Sequence, residues 1–215
     1  MLAVIACLVG VLGILVIAEK LWRAKVLVGE YQRKFVHVSV TAFAAFWPWL
    51  VSWRQVQLMG LAMLVIVLAN RYNQVLHFSA DLRRHTVGGI CLAISISICA
   101  ALTEVKLFYA IAILHIALAD GFAAVIGTRY GMRWKYHVFG QLKTVIGTMT
   151  FWLASVFILG VGLLFAYGEI NPAHYGLILL ILPPLLAGIE NSTPLGLDNL
   201  TVPLASLAAM SILSL

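Results

Sequence analysis

No residue between Leu2 and Ala18 carries a charge, and the chain repeats that pattern seven more times. The later runs cover approximately Phe35–Trp53, Val56–Ala69, Val87–Leu102, Leu107–Gly127, Thr144–Tyr167, His174–Ile189 and Leu200–Leu215, and Asp120 is the one charged residue inside any of them. A hydrocarbon core about 30 Å thick is crossed by roughly 20 apolar residues in a helix, and by fewer where the bilayer thins or polar ends are buried. The third, seventh and eighth runs are short, and Pro183-Pro184 reads as a break in the seventh. The pattern therefore predicts an all-α, polytopic integral membrane protein with seven or eight transmembrane helices. With 63% hydrophobic and only 10% charged residues, the chain lacks the ~25% charge that covers a soluble domain. A soluble globule, a disordered chain and a coiled coil are all excluded.

Charge placement predicts orientation. The loops after the first, third and fifth runs hold Lys20, Arg23, Lys25, Arg33 and Lys34, then Arg71, Arg83 and Arg84, then Arg129, Arg133, Lys135 and Lys143. Only Arg54 and Lys106 fall in the alternate loops. By the positive-inside rule the basic loops face the cytoplasm and both termini lie outside. Trp47, Trp49 and Trp53 then fall at the outer end of the second run, where an aromatic belt sits. Glu19, Glu30, Asp81, Asp120, Glu190 and Asp198 follow the bases to the inner side, leaving Glu104 and Glu169 outside. The net charge of +6 thus reflects cytoplasmic loops rich in both signs. No basic-aromatic interleaving marks a nucleic-acid partner. The first run has no basic leader, and Ala18-Glu19-Lys20 is a poor cleavage site, so it reads as a mature helix. Cys7, Cys91 and Cys99 sit in apolar runs without metal-ligand spacing and read as core hydrophobes. Without repeats or linkers, residues 1–215 read as one domain in a cell membrane.

Phosphate-loop, dinucleotide, zinc-protease and nucleophile-elbow motifs are all absent. Three polar clusters remain. The central one runs from Ala119 to Thr148 (ADGFAAVIGTRYGMRWKYHVFGQLKTVIGT). Asp120 stands in an apolar run, where a carboxylate costs a few kcal/mol and persists when it pairs, binds a cation or reacts. Mg²⁺ takes one or two carboxylates together with phosphate oxygens. Arg129, Arg133, Lys135 and Lys143 downstream suit phosphate, and the glycines at 127, 140 and 147 let backbone amides approach an anion. The structural alternative is an Asp120–Arg129 ion pair with the other bases as membrane anchors.

The second cluster, Glu30 to Val38 (EYQRKFVHV), puts His37 on nearly the same helix face as Arg33 by i,i+4 spacing. Arg33 and Lys34 alone would be topology anchors; with His37 they form a polar stripe. His115 has no charged neighbour at i±3 or i±4 and reads as structural. The third cluster, Gly188 to Leu204 (GIENSTPLGLDNLTVPL), contributes Glu190, Asp198 and Asn199. Asp198 and Asn199 suit either a cation or the cap of the final helix.

In this order, R-K-x-x-H at 33–37, A-D-G-F-A-A-x-x-G-x-x-Y-G at 119–131, K-T-x-x-G-T at 143–148 and D-N-L-T-V-P-L at 198–204 resemble the phytol kinase family. The dolichol kinases and the CTP-dependent diacylglycerol kinase of yeast are its relatives. The resemblance spans residues 30 to 204 and implies a membrane enzyme that moves the γ-phosphoryl group of CTP to a lipid alcohol. By motif match it implies Asp120, Lys143 and Asp198-Asn199 as the nucleotide and metal positions, with Arg33, Lys34 and His37 as an accessory polar element. The chemistry of the residues themselves adds Glu190 as a further candidate ligand for Mg²⁺, and Arg129, Thr144, Gly147 and Thr148 as further candidates for the nucleotide. Ala119 stands where the family often has glycine, and Leu197 where some members carry another acid.

Phosphoryl transfer asks for positioning and charge neutralisation, which carboxylate-held Mg²⁺ and cationic side chains supply. A lipid alcohol comes from the bilayer and a nucleoside triphosphate from the cytosol, so the site belongs where helices meet cytoplasmic loops. Asp120 and Lys143 lead the catalytic candidates, and Asp198 or His37 is the base that takes the alcohol proton. Two rivals stand beside the kinase. A CTP-dependent cytidylyltransferase acting on a lipid phosphate shares the Asp-x-x-Ala-x-x-x-Gly stretch and a following Lys-Thr, but its C-terminal acidic signature is absent. A small anion transporter requires polar residues through the midplane, whereas here they gather on one side.

Overall fold

The computed structural model describes residues 1–73, 87–166 and 170–214. Asp81, Arg83, Arg84 and Glu169 lie outside the described residues. The described chain is helical nearly throughout: α1 (Leu2–Arg23), α2 (Glu30–Ala45), α3 (Trp47–Leu50), α4 (Trp53–Asn73), α5 (Gly88–Leu102), α6 (Lys106–Leu114), α7 (Gly121–Tyr130), α8 (Val145–Phe165), α9 (Pro172–Ser192) and α10 (Asp198–Leu213). Helix α6 passes into α7 through a π-helical turn, His115–Asp120, so that Lys106–Tyr130 forms one rod. Among the described residues, four helices are long and apolar enough to cross a membrane: Leu2–Arg23, Lys106–Tyr130, Val145–Phe165 and Ala173–Ser192. Trp53–Ala69, Gly88–Leu102 and Asp198–Leu213 are shorter apolar helices. Leu8, Leu12, Val65, Leu153, Phe157 and Leu180 are exposed on their outer faces, the surface expected of a membrane protein solvated by lipid.

The all-α expectation needs one correction. The basic loop before α8 is a two-stranded antiparallel hairpin, β1 (Lys135–Val138) paired with β2 (Gln141–Thr144), Tyr136 opposite Lys143. Its two central residues, Phe139 (φ 46°) and Gly140 (φ 77°), both adopt positive φ, as the tightest right-twisted hairpin turn requires. That conformation is what Gly140 is for.

Two findings concern proline. The second apolar run is not one helix: α2 ends at Ala45 and α3 restarts at Trp47. Pro48 has no N–H to give the carbonyl four residues back, and that carbonyl, on Ala44, instead accepts from the Tyr109 hydroxyl at 3.4 Å. The expected break at Pro183-Pro184 is absent, and α9 runs unbroken through both prolines. Membrane helices carry proline where neighbouring helices hold the rod; here α8 and α10 pack along α9, with Leu182, Leu186 and Ala187 buried.

The Lys106–Tyr130 rod is the axis of the packing. Helix α2 lies against its α6, π and α7 parts, α8 against all three, and α10 against α6 and the π turn. Tyr109, Ile111, Ile113 and Ile116 from the rod meet Leu159, Leu207 and Met210 in the core. Helices α7 and α8 approach closely because Gly127 faces Gly147: a Cβ on Gly127 would stand 3.0 Å from the Gly147 Cα, the small-residue contact by which membrane helices associate. Helix α1 packs mainly on α2, with Cys7 and Ala18 buried.

Candidate active site

Five charged side chains from five separate segments meet at one end of this bundle. Lys34 is near the start of α2, Asp120 closes the π turn, Lys143 ends the hairpin, Glu190 is near the end of α9, and Asp198 opens α10. Carboxylate oxygens of Asp120, Glu190 and Asp198 lie within 4.8 Å of one another. Lys34 Nζ donates to Asp120 Oδ2 at 2.8 Å, with 9% and 16% of the two side chains exposed. Lys143 Nζ donates to Glu190 Oε1 at 2.5 Å and to the Glu190 carbonyl at 3.3 Å. His37 Nε2 stands 3.7 Å from Asp120 Oδ2, without a hydrogen-bond partner among the described residues. Asp198 Oδ1 is buried without a partner among the described residues.

Electrostatics makes this arrangement costly unless something completes it. Two lysines neutralise two of three clustered carboxylates, and the third keeps a dry, unpaired oxygen. Burying an ionised carboxylate without compensation costs several kcal/mol. A divalent cation shared by the three oxygens removes that cost and fits the hard-oxygen donor set that Mg²⁺ prefers. Beside the carboxylates lies a small void, too tight for a water molecule in this conformation, walled by His115, Ile116, Phe151, Asn199 and Val202.

Comparison with known proteins bears on what such a site serves. The chain is 33% identical over 203 residues to the phytol kinase of Synechocystis sp. (strain ATCC 27184 / PCC 6803 / Kazusa), covering 90% of this chain and 84% of that protein. This chain belongs to the phytol kinase family. No family model matches it, and no solved structure does. The family assignment agrees with the resemblance drawn from the four motifs, all of which fall in or beside the charged end of the bundle.

The motif residues divide into two sets. Asp120, Glu190, Asp198, Lys34, His37 and Lys143 come together. The others stand outside that cluster. Arg129 makes no ion pair with Asp120: it is exposed, and its guanidinium lies over the Tyr130 ring at 5.3 Å. Lys34 takes its place. Arg33 does not share the stripe with His37; it points outward and pairs with Glu30, so the inward stripe is Lys34–His37 at i,i+3.

Thr144, Gly147 and Thr148 build the frame. Thr144 caps α8, its Oγ1 accepting from the Gly147 amide at 3.0 Å, which occupies the amide expected to meet an anion. Gly147 is instead a packing residue against Gly127. Thr148 bonds to Tyr136 and Asn191, and the Tyr136 hydroxyl donates to Asn191 Oδ1 at 2.9 Å. This clasp fastens the hairpin, α8 and the end of α9 around Lys143. Asn199 Nδ2 donates to the Gly88 carbonyl at 3.1 Å, tying α10 to α5, and its Oδ1 is left buried and unpaired. Asp198 makes no helix-capping bond. Gly196 lets the preceding turn close on α5: it has φ 90°, and a Cβ there would stand 2.7 Å from the Gly88 Cα.

Sequence reasoning missed the roles of Tyr136 and Asn191, which carry no signal that distinguishes them from solvated loop residues. His115, read as structural, is fully buried with Nδ1 2.7 Å from the Ile111 carbonyl oxygen.

Proposed function

We propose that this chain is an integral-membrane kinase that transfers the γ-phosphoryl group of CTP to an isoprenoid alcohol (phytol, geranylgeraniol or a polyprenol), giving the lipid monophosphate. The observation that carries the reading is the convergence of Asp120, Glu190 and Asp198, with Lys34 and Lys143, at one end of an apolar bundle in a phytol kinase family member.

The three carboxylates would hold Mg²⁺, which when bound neutralises phosphate charge and orients the transferring group. Lys34 fixes Asp120 in place. Lys143 spends two of its three ammonium protons on Glu190 and keeps one for a phosphate oxygen. The Tyr136–Thr148–Asn191 clasp holds that lysine's segment against α9. Phe151, Ile116 and Val202 dry the pocket, which strengthens every charge interaction within it. Arg129 stands exposed at the same end of the rod, available as a rim cation for the triphosphate. The topology follows the charge distribution: eight crossings in a cell membrane, termini outside, this end in the cytoplasm. The nucleotide then arrives from water and the alcohol from lipid.

Which phosphorus is attacked decides the reaction. Purified full-length protein given Mg²⁺, phytol or geranylgeraniol, and γ-labelled CTP should yield labelled lipid monophosphate and unlabelled CDP, whereas with α-labelled CTP the label should stay in CDP. Transfer of α-label to phosphatidate, with no γ-transfer to any alcohol, would overturn the kinase reading in favour of a cytidylyltransferase. Transfer of neither label would overturn both.

A further inference from the structure

His115 opens the π turn that Asp120 closes. In a regular α-helix residues five apart are roughly 140° apart around the axis, at 3.6 residues per turn. A π turn bonds residue i to residue i+5 and brings the two onto one side. The wide turn therefore points His115 and Asp120 into the same pocket, together with Glu190 and Asp198.

The ring's chemistry is fixed by its other side. Nδ1 lies 2.7 Å from the Ile111 carbonyl oxygen. A carbonyl only accepts, so Nδ1 carries the proton and donates, and in the neutral ring Nε2 bears the lone pair. The residue is fully buried, and Nε2 has no partner among the described residues. His115 is not one of the three-carboxylate group, but it lines the same void as those carboxylates. It also lies about one helical turn, roughly 5 Å, deeper in the bundle than Asp120. A lipid hydroxyl that reaches Nε2 must widen this void, which in the present conformation is too tight for a water molecule.

We infer that His115 is the general base of the transfer: its Nε2 accepts the proton of the lipid hydroxyl as that oxygen bonds to the γ-phosphorus. The bond from the γ-phosphorus to the bridging oxygen breaks, the nucleoside diphosphate leaves with the electron pair, and the proton stays on the imidazole until product release. The inference rests on the kinase reading above. It assigns the proton to a residue other than Asp198 or His37. Asp198 is one of the cation-holding carboxylates. His37 sits beside the Lys34–Asp120 pair and does not line the pocket.

Two isosteres separate this role from a structural one. Asn at 115 places an amide N–H where Nδ1 is and keeps the bond to Ile111, but removes the Nε2 lone pair. Gln places an acceptor oxygen near the Nε2 position without a basic nitrogen. With full-length protein, γ-labelled CTP and phytol, both His115→Asn and His115→Gln should lower kcat by about 10²- to 10⁴-fold, the usual yield of a positioned base. The KM for CTP and the affinity for Mn²⁺, a spin-active stand-in for Mg²⁺, should be unchanged. With acceptor alcohols made progressively more acidic by fluorination beside the hydroxyl, the ratio of wild-type to variant rate should shrink, because an acidic alcohol needs less help. Near-normal kcat in either variant would overturn the inference, as would a constant ratio across the alcohols. Loss of Mn²⁺ binding in both variants would also overturn it, by showing that His115 holds the fold or the metal. An active wild type is the control: if it transfers no γ-label, the kinase reading itself fails.

Discussion

Helix α1 and the Lys106–Tyr130 rod are both apolar enough to span a bilayer, yet they do opposite jobs. Within their most apolar windows α1 is 11% buried in the protein and the rod 61%. Helix α1 presents Leu8, Val9, Leu12 and Val16 outward and holds to α2 through a narrow strip. The rod is enclosed by α2, α8 and α10 and carries the one acid found inside an apolar run. Hydropathy measures only transfer out of water, so it ranks the two alike. What separates them is the polar residue each must satisfy: Asp120 is tolerable because Lys34 reaches it from α2, and the cation proposed above would be shared with Glu190 and Asp198. The demand for partners is what puts a helix at the centre.

The largest effect should come from removing that demand. Asp120→Asn keeps shape but deletes the charge, and should cut γ-transfer by roughly a thousandfold or more, since metal-held charge stabilisation is worth several kcal/mol, while the protein still inserts. Activity within tenfold of wild type would dissolve the distinction between the two helices. Next comes Lys34→Met, which strands a buried carboxylate and should cost about 3–5 kcal/mol of stability. Adding Asp120→Asn should recover much of that loss, read as the thermal midpoint in detergent, without restoring turnover. Additive losses in the double variant would mean that the two side chains do not depend on one another. At the other extreme, Leu12→Ala on the lipid face of α1 should shift stability by no more than about 0.5 kcal/mol and leave activity intact.

Much of this architecture was legible in the residues. Apolar runs locate helices because every backbone polar group in a membrane must be bonded within its own segment, and each expected run contains one. The clustering of Asp120, Lys143, Glu190 and Asp198 was legible too, because buried charges far apart in the sequence must find one another. The partner of Asp120 was not: Lys34 and Arg129 are both in reach of a sequence argument, and only the packing of α2 on the rod chooses. Pro48 and Pro183 illustrate the same limit. Both delete a backbone donor, but Ala44 finds Tyr109 at a kink, whereas α9 is held straight by two neighbours. The π turn was the least legible, because it is defined by backbone register and has no composition of its own. Thr144 is ambiguous for a different reason: a hydroxyl that suits a phosphate also suits a helix cap.

The central claim is that Asp120, Glu190 and Asp198 form one cation site, with Arg33 and Arg129 standing apart from it. Its most direct test is a Mn²⁺ titration followed by electron paramagnetic resonance, on purified full-length protein with a non-hydrolysable CTP analogue present. The account predicts a single high-affinity site in the wild type and in Arg33→Ala, weakened at least tenfold in Asp120→Asn, Glu190→Gln and Asp198→Asn alike. Unchanged Mn²⁺ affinity in Asp198→Asn, whose oxygen is the unpaired one, would contradict it.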